Sequence, residues 1–542
     1  MQISGSQSGD YKTMKTATAF LAFFGLAGGV SLSAAEKRPN ILFVLADDWG
    51  RHASCYRNSA RPSENDVITT PHIDRVAREG ILFNNAFAEV SSCTPSRASI
   101  ATGCHFWRTG KTAFHTADSG WANVADPGAA LPGFGALLRQ AGYFLTSSGK
   151  TLSPWVHRNN SLKLPDWYPA MDIPLEANVG LGKYVRDHEV NRDTALKALE
   201  DMTRGHIRTV IEKAREKKAP FCHTFGPVGT HRAFVKGSGK TLWGLDPEAF
   251  KGKLPAYLDL PPGREDMSDA LGEVLTLDQE IGWIVDELEK AGELENTLLV
   301  LAGDNGINLP RGKAQVYELS VHAPLIIRWG AGIRKPGRVA DDFVSLIDLA
   351  PTFLEAAGLT PPKDMDGRSL LPLLQSKKSG QIDPARDAVI VGRERHETSV
   401  RPDNSPYPVR AIRTKDFEYV RNFKPERWPC GDPLDRSFPG DPLGRGGIIS
   451  WILTHRDEPS VRPVFDLCYG KRPPEELYDL HKDPFMTNNI AADPAYAKTK
   501  LELSERLMKV LRDTNDPRLD DAFDRPPYVD PPGVRRGGKN EK

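Results

Sequence analysis

Three stretches of this chain carry side chains whose types and spacing suit chemistry: Asp47-Asp48, Asp304-Asn305, and the run Cys93-Thr94-Pro95-Ser96-Arg97-Ala98-Ser99-Ile100-Ala101-Thr102-Gly103. Three aspartates and an asparagine are hard oxygen donors without thiolate or imidazole beside them, a set that favours Ca2+ or Mg2+ over Zn2+. Ca2+ is the better match because it takes about 6–8 oxygens in loose geometry and leaves room for a ligand. Taken alone, Asp-Asp is as much a solvated turn as a ligand pair, and the second acidic cluster makes the ligand reading the stronger. Pro95 can stand in the first turn of a helix, which places Cys93 at an N-terminus where amides and the dipole favour an anion. A lone cysteine is otherwise a small buried hydrophobe. A divalent ion among three carboxylates leaves about one net negative charge, so an anionic ligand there needs cations nearby. Arg97 lies one helical turn past Cys93, Lys150 follows Ser147-Ser148-Gly149, and Lys313 sits in a glycine-containing loop after Asn305.

The elements that position these groups can be read from hydrophobic pattern. Asn40 to Ala46 is an apolar run that leads straight into Asp47-Asp48, and Thr297 to Ala302 repeats the device before Gly303-Asp304-Asn305-Gly306. Continuous apolar runs of this length predict strands buried on both faces of a parallel sheet. Helical stretches at Leu137–Gly142 and Leu271–Gly292 lie between them, which indicates an α/β fold. In open α/β sheets ligands bind beyond the carboxyl ends of strands, where both acidic clusters fall. Further on, Ala388 to Val391 and Val409 to Val420 read as short antiparallel strands, and Ala495 to Arg512 as a closing helix. The expected divisions are a targeting segment at 1–35, a catalytic domain at 36–386, a smaller C-terminal α+β domain at 387–520, and a poorly ordered tail at 521–542.

A chain of 542 residues with 71 acidic and 71 basic side chains has no net charge, which argues against bulk attraction to nucleic acid or to a membrane surface. Lys12 and Lys15 precede the apolar stretch Ala17 to Val30, and Ser33-Ala34-Ala35 offers a cleavage site, so the mature chain is expected to start near Glu36 and to be exported, periplasmic or secreted. Met14 is a second candidate start. No later run is long and apolar enough to cross a membrane. Six cysteines are too few for a disulfide scaffold in so long a chain, and no C-x-x-C pair suggests zinc.

The run from Cys93 to Gly103 resembles the signature C-x-P-S-R…T-G of the formylglycine-dependent sulfatases, with every fixed position present. The resemblance covers nearly the whole mature chain and implies an alkaline-phosphatase-like fold: a large, mostly parallel sheet between helices, with a smaller C-terminal antiparallel sheet and a terminal helix. It also implies oxidation of Cys93 to formylglycine (3-oxoalanine) by a formylglycine-generating enzyme. Asp47, Asp48, Asp304 and Asn305, with the modified Cys93, would then be the metal ligands. Arg97, Lys150 and Lys313 would hold the aldehyde hydrate and the sulfate, and His231, in Pro227-Val228-Gly229-Thr230-His231, would protonate the leaving group. One departure concerns the step that resets the aldehyde. Family members usually carry a histidine two or three residues after the lysine, whereas Lys150 is followed by Thr151-Leu152-Ser153-Pro154, so that either His157 or His115 substitutes from another loop or the step runs without a histidine.

Within that family, Ser91-Ser92-Cys93, the loop from Asp304 to Lys313 and the run Arg395-His396-Glu397 with Tyr407-Pro408-Val409-Arg410 look most like the N-sulfoglucosamine sulfohydrolases, the heparan N-sulfatases. The resemblance makes the partner a sulfated saccharide and His115, His396, Glu397 and Arg410 its expected contacts. Alternatives are an O-sulfatase acting on another glycosaminoglycan or algal polysaccharide, a phosphate or phosphonate monoester hydrolase, and a glycan-binding protein in which Cys93 stays a thiol. The lack of histidine beside Asp47 and Asp304 speaks against a two-zinc phosphatase.

Overall fold

Strands β1 (Asn40–Ala46) and β5 (Thr297–Gly303) lie side by side in parallel and are buried at every position, as their unbroken apolar runs require. They are the centre of a computed structural model that describes residues 38–114, 131–150, 152, 179–396, 401, 404–431 and 446–529. With β2 (Ile81–Phe87), β3 (Phe144–Gly149), β4 (Phe221–Gly226), β6 (Leu325–Arg328) and β7 (Arg338–Ser345), the described residues form a seven-stranded sheet in the order β3-β4-β1-β5-β6-β2-β7. Only β6 runs against its neighbours. Alternate residues of β1 feed two cores. Leu42, Val44 and Ala46 pack under the helices Arg192–Glu216 and Pro261–Lys290, while Ile41, Phe43 and Leu45 pack under Phe134–Gln140 and Leu349–Ala356.

The long helix starts ten residues before its expected beginning at Leu271, because Pro261 and Pro262 occupy its first turn, where a missing N–H costs nothing. Its polar opening hides the start from any apolar count, yet Asp266 there is buried and paired with Arg232 at 2.6 Å.

The smaller sheet, β11-β10-β9-β8, is antiparallel throughout, with β8 Ala388–Arg393, β9 Val409–Thr414, β10 Phe417–Asn422 and β11 Glu475–Asp479. Val391, Ala411, Val420 and Tyr478 face Phe87, Val321 and Phe343 of the larger part. On the other face, Leu503, Leu507 and Leu511 of the helix Ala497–Asp513 cover Ile412, Tyr419 and Leu477. Their spacing of four is one helical stripe, and each buried leucine contributes about 2 kcal/mol. The start of the expected tail is ordered, contrary to its composition: Phe523 is fully buried between Phe114 at 5.2 Å and Tyr528 at 4.9 Å. Arg518 ties the same segment down through Asp521 at 3.1 Å and Asp524 at 2.9 Å. No helix among the described residues is long and apolar enough to cross a membrane. The targeting segment lies outside the described residues, as do His115, His157, Glu397 and positions 530–542.

Candidate active site

Four adjacent parallel strands, β3, β4, β1 and β5, deliver their following residues to one edge of the sheet. Lys150 comes after β3, His231 after β4, Asp47 and Asp48 after β1, and Asp304 and Asn305 after β5. Two glycines allow the ends to converge. A Cβ on Gly226 would stand 1.8 Å from the Lys150 carbonyl oxygen, and one on Gly303 would stand 2.0 Å from that of Trp49. Asp48 adopts a left-handed φ of 57°, which aspartate tolerates better than most residues and which turns its carboxylate under the Asp304 loop. Its amide donates to Asp304 Oδ1 at 3.0 Å.

Above this edge sits the helix Cys93–Thr102, in which every residue is buried although half are polar. Two hydroxyls are satisfied within the helix, Ser99 donating to the Pro95 carbonyl and Thr102 to that of Ala98, both at 2.9 Å, while Ser96 donates across to the Asp304 carbonyl. Cys93 is the first helical residue, after the extended N-cap Ser92, and its side chain lies close enough to Arg97, Lys150 and Lys313 to interact with their charges.

The charged groups interlock. Lys150 Nζ donates to Asp47 Oδ2 at 2.6 Å and Lys313 Nζ to Asp48 Oδ1 at 2.5 Å. Arg97 donates from Nε to Asp304 Oδ2 and from Nη1 to the Lys150 carbonyl, each at 2.7 Å. Asn305 donates to Asp48 Oδ1 at 2.9 Å. Burial pushes the Asp47 carboxyl up, but the charges around it, Lys150 first, with Lys313 and Arg97, outweigh it and hold the group well below the usual carboxylate range. Asp48 is lowered too, chiefly by Lys313 against its burial. Asp304 goes the other way: burial, helped by Asp47 and Asp48, raises it to about 7 despite Arg97. Lys150, Lys313 and Arg97 are all held protonated, because the carboxylates overcome the cost of burying each cation. Three cations against three carboxylates make the cluster close to neutral, so a divalent ion gives it a net positive charge suited to an anionic group.

Three oxygens in this cluster are buried without a hydrogen bond: Asp47 Oδ1, Asp48 Oδ2 and Asn305 Oδ1. Orphaned buried acceptors are costly unless a cation receives them, and all three are of the hard type that Ca2+ or Mg2+ takes. Asp304 has both oxygens engaged, by the Asp48 amide and by Arg97, and could share only remaining lone pairs. His231 Nε2 lies 3.6 Å from Asp48 Oδ2 and 3.9 Å from Asp47 Oδ2, and ligand atoms of these three residues fall within 4.8 Å of one another. Its Nδ1 faces the Arg232 carbonyl, an acceptor, so Nδ1 carries the hydrogen and Nε2 presents its lone pair to the cluster. Burial outweighs the Asp48 and Asp47 charges and lowers this imidazole to about 4.

The profile of the family described as Sulfatase matches residues 39–359, a span that holds every group of this cluster. The chain belongs to the sulfatase family. A second profile, described as N-sulphoglucosamine sulphohydrolase, C-terminal, matches residues 311–430 of the sulfatase. The chain is 29% identical to human N-sulphoglucosamine sulphohydrolase over 90% of its own length and 92% of that protein. It is 27% identical to an ulvan-active sulfatase of Formosa agariphila, covering 89% and 76% of the two chains. Against an N-acetylglucosamine-6-O-sulfatase of Bacteroides thetaiotaomicron it is 25% identical, covering 89% and 87%. Two solved structures share the fold: one in complex with its substrate D-glucosamine-2-N,6-O-disulfate (TM-score 0.61, 21% identity, 90% and 100% of the chains), and the phosphonate monoester hydrolase of Agrobacterium radiobacter (0.56, 18%, 88% and 96%).

Of the expected saccharide contacts, the sulfatase takes Arg410 out of reach. Its guanidinium is fully buried, donating to Glu394 at 2.8 Å and to Asp516 at 2.7 and 3.1 Å, and it lies 4.6 Å over the Phe106 ring. A cation so enclosed is structural, and the expectation is corrected. His396 is buried as well and meets Ser92 Oγ at 2.6 Å. Sequence reasoning missed the groups that hold the machinery in place. Thr230 donates to the Asp47 carbonyl at 2.6 Å, and Arg232 anchors the segment after His231 by donating to the Asn308 carbonyl at 3.0 Å and to Asp266 at 2.6 Å. Only its place next to His231 distinguishes Arg232 in the sequence.

Proposed function

We propose that this sulfatase is an exported, periplasmic or secreted enzyme that removes the N-sulfate of glucosamine residues in a sulfated glycan, with Cys93 converted to formylglycine by a formylglycine-generating enzyme. The observation that carries the substrate is the match of residues 311–430 to the C-terminal part of N-sulphoglucosamine sulphohydrolases, in the region that contributes Lys313 and His396. Asp47, Asp48 and Asn305, with Asp304 and residue 93, are the groups suited to hold Ca2+, or Mg2+ in its place. Such an ion supplies Lewis-acid stabilisation of charge on a sulfate oxygen.

The chain's own residues account for the rest. As the hydrate of formylglycine, formed by adding water to the aldehyde, residue 93 supplies a hydroxyl nucleophile at a helix N-terminus, where amides and dipole favour a sulfate. Lys150, Lys313 and Arg97 are cations already held in place by Asp47, Asp48 and Asp304, and in these largely buried surroundings each stabilises charge on a sulfate oxygen more than it would at a surface. Asp304, beside Arg97 and the Asp48 amide, is the carboxylate that takes the hydroxyl proton of residue 93. His231 turns Nε2 toward the cluster, and an anion arriving beside it favours the protonated imidazole, which can donate to the leaving nitrogen or oxygen.

The test is sulfate release by the purified protein from an N-sulfated glucosamine saccharide and from its 6-O-sulfated counterpart, with mass spectrometry of the peptide holding residue 93. N-sulfate cleavage and a formylglycine mass are expected. A second reading, an O-sulfatase acting on ulvan or another glycan, is favoured by the relatives from Formosa and Bacteroides. Cleavage of O-sulfates alone establishes it and ends the N-sulfate proposal.

A further inference from the structure

The residue that begins the nucleophile helix does not cap it. Ser92 stands at the N-cap with extended backbone, and its side chain makes no capping hydrogen bond. An N-cap serine ordinarily accepts from the amide two or three residues on. Here the third position is Pro95, which has no N–H to give. The first intrahelical bond is the backbone one from the Ser96 amide to the Ser92 carbonyl at 3.0 Å. The Ser92 hydroxyl turns to another part of the fold and pairs with Nδ1 of His396 at 2.6 Å.

His396 is delivered to this place by the smaller sheet. The Gly392 amide of β8 donates to the Glu89 carbonyl at 2.8 Å, and Val90 and Gly392 pair in parallel, so the strand end and the segment entering the helix run side by side. Both residues before His396 are pinned. Glu394 is fully buried between Arg410 at 2.8 Å and Arg518 at 2.5 Å. Arg395 lies 5.1 Å over Phe114, with which its backbone also pairs, and donates to the carbonyls of Asn404 and Tyr528. A turn clamped on two sides holds its next side chain in one orientation, which is how a supporting contact acquires precision.

We propose that His396 is a positioning residue for the nucleophile: through the Ser92 hydroxyl it fixes the first turn of the Cys93 helix and the orientation of residue 93 toward Lys150, Lys313 and Arg97. This rests on residue 93 being the nucleophile. It reassigns His396 from the saccharide contact suggested by its sequence to a support for turnover. Because the contact is made to Ser92, the residue next to the nucleophile, its loss lowers kcat and leaves KM nearly unchanged.

The experiment measures kcat and KM, normalised to formylglycine content by mass spectrometry, for the full-length enzyme and for His396→Ala, Ser92→Ala, the double variant, His396→Asn and His396→Gln. We expect His396→Ala and Ser92→Ala each to lose at least tenfold in kcat with KM within threefold. The double variant should lose no more than the worse single one, since both break the same contact. His396→Asn, which keeps a polar group at the Nδ1 position, should recover kcat to within threefold, whereas His396→Gln, which reaches the Nε2 position instead, should not. Additive losses, a rise in KM at constant kcat, or equal kcat for the asparagine and glutamine variants overturns the proposal. If His396→Ala does not fold, the asparagine and glutamine pair decides alone. Wild-type protein that lacks formylglycine, or releases no sulfate, defeats the reading of residue 93 itself. A wild-type enzyme that turns over while its variants keep full kcat defeats only the role of His396.

Discussion

Replacing Arg410 by leucine separates a structural arginine from a sugar-binding one. Arg410 is fully buried between two carboxylates, and Asp516 has no other arginine or lysine within ion-pair distance among the described residues. Glu394 keeps Arg518 at 2.5 Å, whereas Asp516 keeps only its bond from the Arg518 amide at 2.9 Å. Breaking a buried pair by removing one partner costs about 3–5 kcal/mol, because the other charge is left uncompensated. Against a total stability of about 5–15 kcal/mol this is a large fraction. Arg410→Leu should therefore lower the guanidinium chloride unfolding midpoint at unchanged slope by an amount equivalent to about 3–5 kcal/mol. Adding Asp516→Asn, which removes the stranded charge, should restore at least about 1 kcal/mol of that loss. The KM for a sulfated saccharide, measured below the unfolding midpoint, should stay within twofold. An unfolding curve that coincides with wild type, together with a tenfold rise in KM, returns Arg410 to the saccharide site.

Three further outcomes follow from the same structure. Lys313→Met removes a buried cation whose interaction with a sulfate charge about 4 Å away is worth about 4 kcal/mol at an effective dielectric of about 20. The expected loss in kcat/KM is about 10³-fold by sulfate release, and a loss under tenfold contradicts the role given to this lysine. His206 and His223 meet at 3.3 Å inside the protein, and burial lowers His206 to about 4 and His223 well below its ordinary value. A depressed folded pKa means that the unfolded chain binds more protons between about 4 and 6.5, so stability is full above 6.5 and declines as pH falls. The His206 share is about 2 kcal/mol between pH 6.5 and 5, and unfolding midpoints of His206→Gln should show a shallower acid slope than wild type. An unchanged slope contradicts it. Chelation should lower the thermal midpoint, and Ca2+ restored to 100 times its Kd should return about 2.7 kcal/mol; coincident melting curves with and without Ca2+ argue against a metal in the Asp47-Asp48-Asn305 cluster.

Much of this arrangement is visible in the chain itself. Asn40 to Ala46 and Thr297 to Ala302 have to be buried strands because nothing else satisfies unbroken apolar runs flanked by polar turns, and the acids that follow them have to emerge at the carboxyl edge. The order of residues from Cys93 to Gly103 likewise has no packing explanation. Less visible was the start of the Pro261–Lys290 helix, whose first polar turn is buried only because Arg232 comes to meet Asp266. The segment after Asp520 has the composition of a loose tail and packs because Phe114 and Tyr528 enclose Phe523.

Residue type and local spacing thus determine which elements form and which side chains are fit for chemistry, since propensity, burial pattern and charge are properties of neighbours in the chain. Partnership is different. Whether Arg410 faces a sugar or two buried carboxylates, whether His396 meets a substrate or Ser92, and which oxygens of Asp47, Asp48 and Asn305 are left unpaired depend on contacts between residues tens to hundreds of positions apart. The free energy of a polar group is decided by what it meets once water is removed, and folding alone supplies that partner.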